Sequence, residues 1–293
     1  MEKSFSAKSG VETMLASGLD ANERHSAKIT FKYANGAHGL QYVKTSKHGA
    51  IIKSNDNKKY VQFIGDSITE GTLSYSYTIP AVYDHDYSII ALSGIALQDG
   101  AGWYYSSQNQ IWSGKLSRED SVGMESAYFT LKSPKNGYWL DEEENLKYTN
   151  PVYDVENDHK PDAIVIGIGT NDAYFVTNEV SGVGSQDFKD SYVEFVTKLN
   201  TLYPDADIYI IRQFNNVKDN GEGVNLSAKY DAVREATLDA VDELKNTSFA
   251  DKVNYIDTTS WNVEISDDDV HPSAAGYAAL RDLVYEEIKA SLQ

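Results

Sequence analysis

The 293-residue chain carries 26 Lys and Arg against 44 Asp and Glu, a formal charge of −18, with 41% hydrophobic and 24% charged residues. A surface of that sign repels a phosphate backbone, so nucleic acid is excluded as a partner and acidic polymers are disfavoured, while a neutral substrate meets no barrier. Cysteine is absent, which removes disulfides, thiolate nucleophiles and cysteine metal sites, and no apolar run approaches the length of a membrane span.

The length suits one large α/β domain with a small appendage. The opening stretch, Met1-Glu2-Lys3-Ser4-Phe5-Ser6-Ala7-Lys8, lacks the apolar centre of a signal peptide. The expectation is a cytoplasmic protein, or a secreted one whose signal has been removed. The 21 tyrosines suit a surface that stacks on sugars, although packed tyrosines account for most of such a number.

Residues 1–59 read as an N-terminal β-hairpin appendage. Lys28-Ile29-Thr30-Phe31-Lys32-Tyr33 alternates polar and apolar, Asn35-Gly36 is a tight-turn signal, and Leu40-Gln41-Tyr42-Val43 resumes the strand. Ala50-Ile51-Ile52 adds a third strand. Such a piece is too small to be stable alone, and its open edge offers a pairing surface for a homo-oligomer.

From residue 60 to 293, short apolar runs alternate with helical patterns, the α/β signature. Strands are expected at 60–64, 87–92, 163–168, 208–211 and 253–256, and their near-continuous apolar character points to a mostly parallel five-stranded sheet buried on both faces. Helical stripes run through Phe188, Tyr192, Phe195, Leu199 and Leu202, and through Leu226, Tyr230, Val233, Val241 and Leu244. A third, Tyr277, Leu280, Val284 and Ile288, is opened by Ser273 as N-cap. The connection 95–160 is an aromatic-rich insertion of a length that is normally functional or carries structure of its own. Its Trp103, Tyr104 and Trp112 are candidates for a substrate-pocket wall, against the plainer reading of core aromatics beneath a long loop.

The first strand runs straight into Gly65-Asp66-Ser67-Ile68-Thr69-Glu70-Gly71. A serine just past a buried strand sits where open α/β sheets put their chemistry. It needs a base, and histidine is the usual one; a carboxylate then fixes the imidazole tautomer. Asp268-Asp269-Val270-His271 supplies both, with Asp269 as the alternative to Asp268. An acyl transfer also needs donors aimed at the oxyanion. Three follow different strands: the N–H of Ser67, read as opening a helix, the N–H of Gly94 after the second strand, and the side-chain amide of Asn171 in Gly169-Thr170-Asn171-Asp172. Asp66 and Asp172 are expected to hold the two turns through backbone hydrogen bonds. No His, Asp and Glu constellation has metal-ligand spacing, so no metal is expected.

Ser67, Gly94, Asn171 and Asp268 with His271, in that order, resemble the four blocks of the SGNH (GDSL) hydrolases. The resemblance implies a flavodoxin-like three-layer α/β/α sandwich and cofactor-free hydrolysis of esters, thioesters or acyl groups on sugars and lipids. Ser93-Gly94 and Lys160-Pro161-Asp162-Ala163-Ile164-Val165 look like carbohydrate esterase family 2, whose members deacetylate plant polysaccharides. The chain departs from that group in its short N-terminal β region and in Thr69-Glu70-Gly71, where many relatives carry Thr-Cys-Gly. The expectation is a serine esterase acting on a short acyl ester of a small molecule or carbohydrate. A lysophospholipase, thioesterase or transacylase on the same machinery is the first alternative, and an inactive carbohydrate-binding protein the second.

Overall fold

The computed structural model describes residues 12–20, 23, 25, 43–45, 58–106, 111–114, 122–130, 159–217 and 226–293. The chain forms two compact units, Met1–Asn57 and Lys58–Gln293. In the first, Lys44 pairs with Glu12. The hairpin expected over 28–52, and with it the homo-oligomer edge, lies almost wholly outside the described residues.

The second unit is built on one sheet. β1 (Tyr60–Gly65), β2 (Asp86–Ala91), β5 (Ala163–Gly167), β6 (Asp207–Ile211) and β8 (Val253–Ile256) run in the order β2-β1-β5-β6-β8. Every pairing in it is parallel. All five expected strands are present. Their apolar runs are explained by burial on both faces, since parallel sheets are covered by helices above and below.

The period of two sorts the side chains onto those faces. Ile64, Ile164, Ile166, Ile208 and Ile210 pack with α4 (Ser185–Leu202) and α5 (Asp231–Leu244). Val61, Phe63, Val165, Tyr209 and Ile211 pack with α1 (Tyr75–Tyr83) and α6 (Ala274–Ile288). The result is the three-layer α/β/α sandwich. Tyr83 of α1 stacks on Tyr285 of α6 with ring centroids 3.5 Å apart, tying the two helices of one layer.

Two helical expectations need correction. The stripe from Leu226 to Leu244 is not one helix: a 3-10 segment, Leu226–Tyr230, precedes α5, and Tyr230 at φ −108°, ψ 1° breaks the regular path between them. The helix expected to open at Ser67 begins instead at Tyr75. There Ser74 caps it by accepting the Ser76 N–H, and residues 66–70 form a separate turn.

The insertion carries structure of its own. β3 (Trp103–Ser106) and β4 (Ile111–Gly114) form an antiparallel ribbon, followed by α2 (Met124–Thr130). Tyr128 of α2 joins the core, and Phe129 packs against it. α3 (Ala173–Thr177) follows β5, and β7 (Asn215–Val217) pairs in parallel with β9 (Asn262–Glu264) just before the His271 loop. Among the described residues no helix is long and apolar enough to cross a membrane.

Candidate active site

The strand order reverses at β1, whose neighbours are β2 and β5. The crevice beyond the carboxyl ends of such strands is where open α/β sheets bind ligands. Ser67 follows β1, Gly94 follows β2 and Asn171 follows β5.

Ser67 is presented by a five-residue turn. The Asp66 carbonyl accepts the N–H groups of Thr69 (3.1 Å) and Glu70 (2.9 Å), and Asp66 Oδ1 accepts the N–H of Ile68 at 2.9 Å. Gly65 lets the turn press against β5, because a Cβ there would lie 2.1 Å from Thr69 Oγ1 and 2.4 Å from the Gly167 carbonyl oxygen. Asp66 is wholly buried. Burial pushes its carboxyl up to about 6, against the opposing pull of hydrogen bonds from Ile68 and Thr170 and of the His271 charge.

His271 is set by the loop between β9 and α6. Ser266 N–H donates to the His271 carbonyl at 2.8 Å, and Ser273 N–H to the Glu264 carbonyl at 3.0 Å. Nε2 of His271 lies 2.7 Å from Ser67 Oγ, and Nδ1 lies 2.6 Å from Asp268 Oδ2. Of the adjacent acids it is Asp268 that meets the ring. Its other oxygen accepts the N–H groups of Val270 and His271, each at 2.9 Å, and the Ser266 hydroxyl at 2.8 Å. Burial opposes its charge. The hydrogen bonds from the His271 backbone and ring, from Val270 and from Ser266 outweigh burial and hold the carboxyl well below the usual carboxylate range. An ionised Asp268 draws the ring proton to Nδ1, which leaves the Nε2 lone pair facing the serine hydroxyl. Serine, imidazole and carboxylate thus form one continuous chain of hydrogen bonds.

Among the described residues neither the Ser67 N–H nor the Gly94 N–H donates to a protein acceptor. Asn171 Nδ2 donates to the Ile95 carbonyl at 2.9 Å, and a primary amide has a second hydrogen to offer. Gly94 adopts φ +82°, a left-handed conformation that suits glycine. Asp172 reaches across to the same segment: its carboxylate accepts the N–H of Leu97 at 2.9 Å and of Gln98 at 3.3 Å. Burial pushes Asp172 up to about 7, opposed by those two N–H groups. Asp66 therefore holds its own turn, whereas Asp172 holds the neighbouring one.

Three supporting residues carry no sequence signal. Gln213, after β6, donates Nε2 to the Ile168 carbonyl at 2.6 Å, bracing the turn that leads to Asn171. Arg234 of α5 holds the Gln213 and Phe214 carbonyls, each at 2.8 Å. Glu70 bridges from the serine turn to Ser93. Gln213 and Arg234 are lone polar residues outside the motifs, and Glu70, although it stands within the serine motif, gives no local sign of its partner; only tertiary contact reveals the three roles.

The pocket candidates separate. Trp103 is half-buried, its ring 6.2 Å from that of Tyr174 in α3, and its backbone N–H donates to the Gly94 carbonyl at 2.8 Å. Tyr174 is 51% exposed. Tyr104 and Trp112 lie on the two strands of the ribbon, opposite Ser113 and Tyr105 respectively.

The sequence profile of the GDSL-like lipase/acylhydrolase family matches residues 63–279. No protein of curated function shows a matching sequence. Among solved structures, one that the chain resembles is a carbohydrate esterase family 2 enzyme with a carbohydrate binding domain from Myceliophthora fergusii. It is 22% identical over 83% of this chain and 69% of that one, with a TM-score of 0.53. Another is the acetyl xylan esterase Est2A from the rumen bacterium Butyrivibrio proteoclasticus (14% identity, 80% of this chain, 64% of that one, TM-score 0.52). A third is a family two carbohydrate esterase from Clostridium thermocellum in complex with cellohexaose (19%, 80% and 64%, TM-score 0.52). The chain spans less than two thirds of the latter two, and at such identities the likeness is one of fold. The profile, by contrast, runs through Ser67, Gly94, Asn171, Asp268 and His271. The chain therefore belongs to the GDSL-like lipase/acylhydrolase family and is an ester-hydrolysing serine hydrolase.

Proposed function

We propose that the protein releases acetyl, or another short acyl group, from a carbohydrate ester through an acyl-enzyme on Ser67. The observation that carries this reading is Ser67 Oγ at 2.7 Å from His271 Nε2, with Asp268 at 2.6 Å from Nδ1. Nε2 takes the hydroxyl proton as Oγ bonds to the ester carbonyl carbon, and the carbonyl electron pair moves onto oxygen. Asp268 stabilises the imidazolium. The N–H groups of Ser67 and Gly94 and the second amide hydrogen of Asn171 hold the oxyanion. Collapse breaks the bond to the leaving alcohol, which takes the proton from Nε2. Water then attacks the acyl-serine with His271 as base, the acid departs, and Ser67 Oγ regains a proton.

Three observations favour a neutral carbohydrate ester. The net charge of −18 disfavours anionic substrates. Trp103 and the exposed Tyr174 offer aromatic surface beside the Gly94 and Asn171 turns. Solved structures of the same fold include one described as an acetyl xylan esterase.

A series of nitrophenyl esters from acetate to octanoate, run beside acetylated xylo-oligosaccharides, tests the proposal. The acetyl ester is expected to react fastest, with a steep fall as the chain lengthens, and Ser67→Ala is expected to lower kcat by about 10⁴–10⁶-fold. Rates that rise with chain length would assign the site to a lysophospholipase or thioesterase.

A further inference from the structure

Among the described residues, one direct side-chain link joins the serine turn to the Gly94 turn. Glu70, half-buried at the end of the 66–70 turn, uses one carboxylate oxygen, Oε2, to accept both the Ser93 N–H (2.7 Å) and the Ser93 hydroxyl (2.5 Å). Its own N–H donates to the Asp66 carbonyl at 2.9 Å, so the carboxylate is carried by the turn that carries Ser67. The residue it grips occupies the second position of the turn Leu92-Ser93-Gly94-Ile95. That turn is closed by the Ile95 N–H on the Leu92 carbonyl at 3.2 Å, with Gly94 at φ +82°. A positive φ at the third position is the type II arrangement, in which the middle peptide plane is turned over relative to type I. The N–H of that middle peptide is Gly94's own. Its orientation therefore decides where the Gly94 hydrogen points.

Beyond Gly94 the segment is held by Asn171 on the Ile95 carbonyl and by Asp172 on the Leu97 and Gln98 N–H groups. Glu70 holds it on the near side. We propose that Glu70 is a positioning residue for acyl transfer: through Ser93 it locks the Ser93–Gly94 peptide so that the Gly94 N–H aims at the developing oxyanion. The proposal rests on the Ser67 acyl-enzyme reading above. The brace acts by geometry and not by charge. A carboxylate beside a forming oxyanion raises the barrier unless donors neutralise it, and Ser93 supplies two. A neutral acceptor of the same length therefore serves equally well.

The test uses the full chain with nitrophenyl acetate, comparing Glu70→Gln, Glu70→Ala, Glu70→Asp, Ser93→Ala and the double variant Glu70→Ala/Ser93→Ala. Amide hydrogen exchange over residues 92–98 is followed in parallel. Glu70→Ala is expected to lower kcat by about 10–100-fold, part of the loss seen when an oxyanion donor is removed, with KM changed by less than about twofold. Glu70→Gln keeps the acceptor and is expected to stay within about threefold of the wild type or exceed it. Glu70→Asp keeps the charge but shortens the reach, so it behaves like Glu70→Ala, and it carries the test should the alanine variant not fold. The double variant is no slower than Glu70→Ala, because without the Glu70 carboxylate the Ser93 hydroxyl has no bond to it left to lose. Exchange near Gly94 accelerates in the alanine and aspartate variants and not in the glutamine variant.

Wild-type kcat in both Glu70→Ala and Glu70→Asp would overturn the proposal, as would a glutamine variant as slow as the alanine one or fully additive losses in the double variant. Absence of ester turnover in the wild type overturns the acyl-enzyme reading instead, while the exchange rates still report whether Glu70 holds the turn.

Discussion

Asp268 is one of three consecutive aspartates, and it alone of them is placed with its carboxylate on the His271 ring. Its own hydrogen-bond set, from Val270, His271 and Ser266, explains the choice: the loop wraps N–H and O–H donors around one carboxylate. Asp268→Asn removes the acceptor that fixes the imidazole tautomer. Loss of a buried triad acid costs about 10⁴ in kcat. Here the side chain is 50% exposed and water can partly substitute, so a loss of at least about 100-fold is expected. Asp267→Asn and Asp269→Asn, assayed in parallel, are expected to stay within about threefold of the wild type. Equal losses in all three would contradict the assignment. At the third strand end, Asn171→Ala removes a side-chain donor and is expected to lower kcat by about 10²–10³-fold with little change in stability.

At the scale of elements, the parts legible in the sequence are those whose signal is local. The five strands show as continuous apolar runs because each is buried on both faces, and α4 and α6 show as stripes because one side of each faces the sheet. Ser273 was readable as an N-cap, and its Oγ does accept the Gly276 N–H at 3.1 Å. Ser273→Ala is expected to cost about 1 kcal/mol, a fall of about 2–4 °C in Tm, measurable by thermal denaturation. The elements that escaped have weak or misleading local signals. α1 carries Pro80 in its interior and no charged residue in its first turn. β7 and β9 are three residues each, too short for a period to register. A strand followed by a capping residue looks the same whether a turn or a helix comes next, so the sequence around Ser67 points to a helix that the structure opens only at Tyr75. Ser67 and His271 stand out by motif order, with Asp268 and Asp269 left as alternatives for the acid; Glu70, Gln213 and Arg234 do not, because their roles exist only across elements distant in sequence.

For the whole molecule, two buried carboxyls near the site make stability depend on pH. Burial pushes Asp66 up to about 6 and Asp172 up to about 7, whereas in the unfolded chain both return to the ordinary value of about 4. The folded state therefore binds these protons more tightly. Their contribution to stability is complete below about pH 4 and is lost as pH rises through 6 and 7. Thermal unfolding is expected at lower temperature at pH 8 than at pH 5. The charge of −18 adds repulsion with the same sign, and measurement in 1 M salt, where the Debye length is about 3 Å, separates the two. A Tm that stays level or rises between pH 5 and 8 at high salt contradicts the buried-carboxyl account. The proposed chemistry depends on a serine hydroxyl made nucleophilic by the imidazole 2.7 Å away. Its most direct measurement is intact-mass and peptide mapping of the full chain after exposure to a fluorophosphonate. One adduct per chain, on Ser67 and lost in His271→Ala, is the predicted result; an unmodified Ser67, or labelling undiminished in His271→Ala, would contradict it.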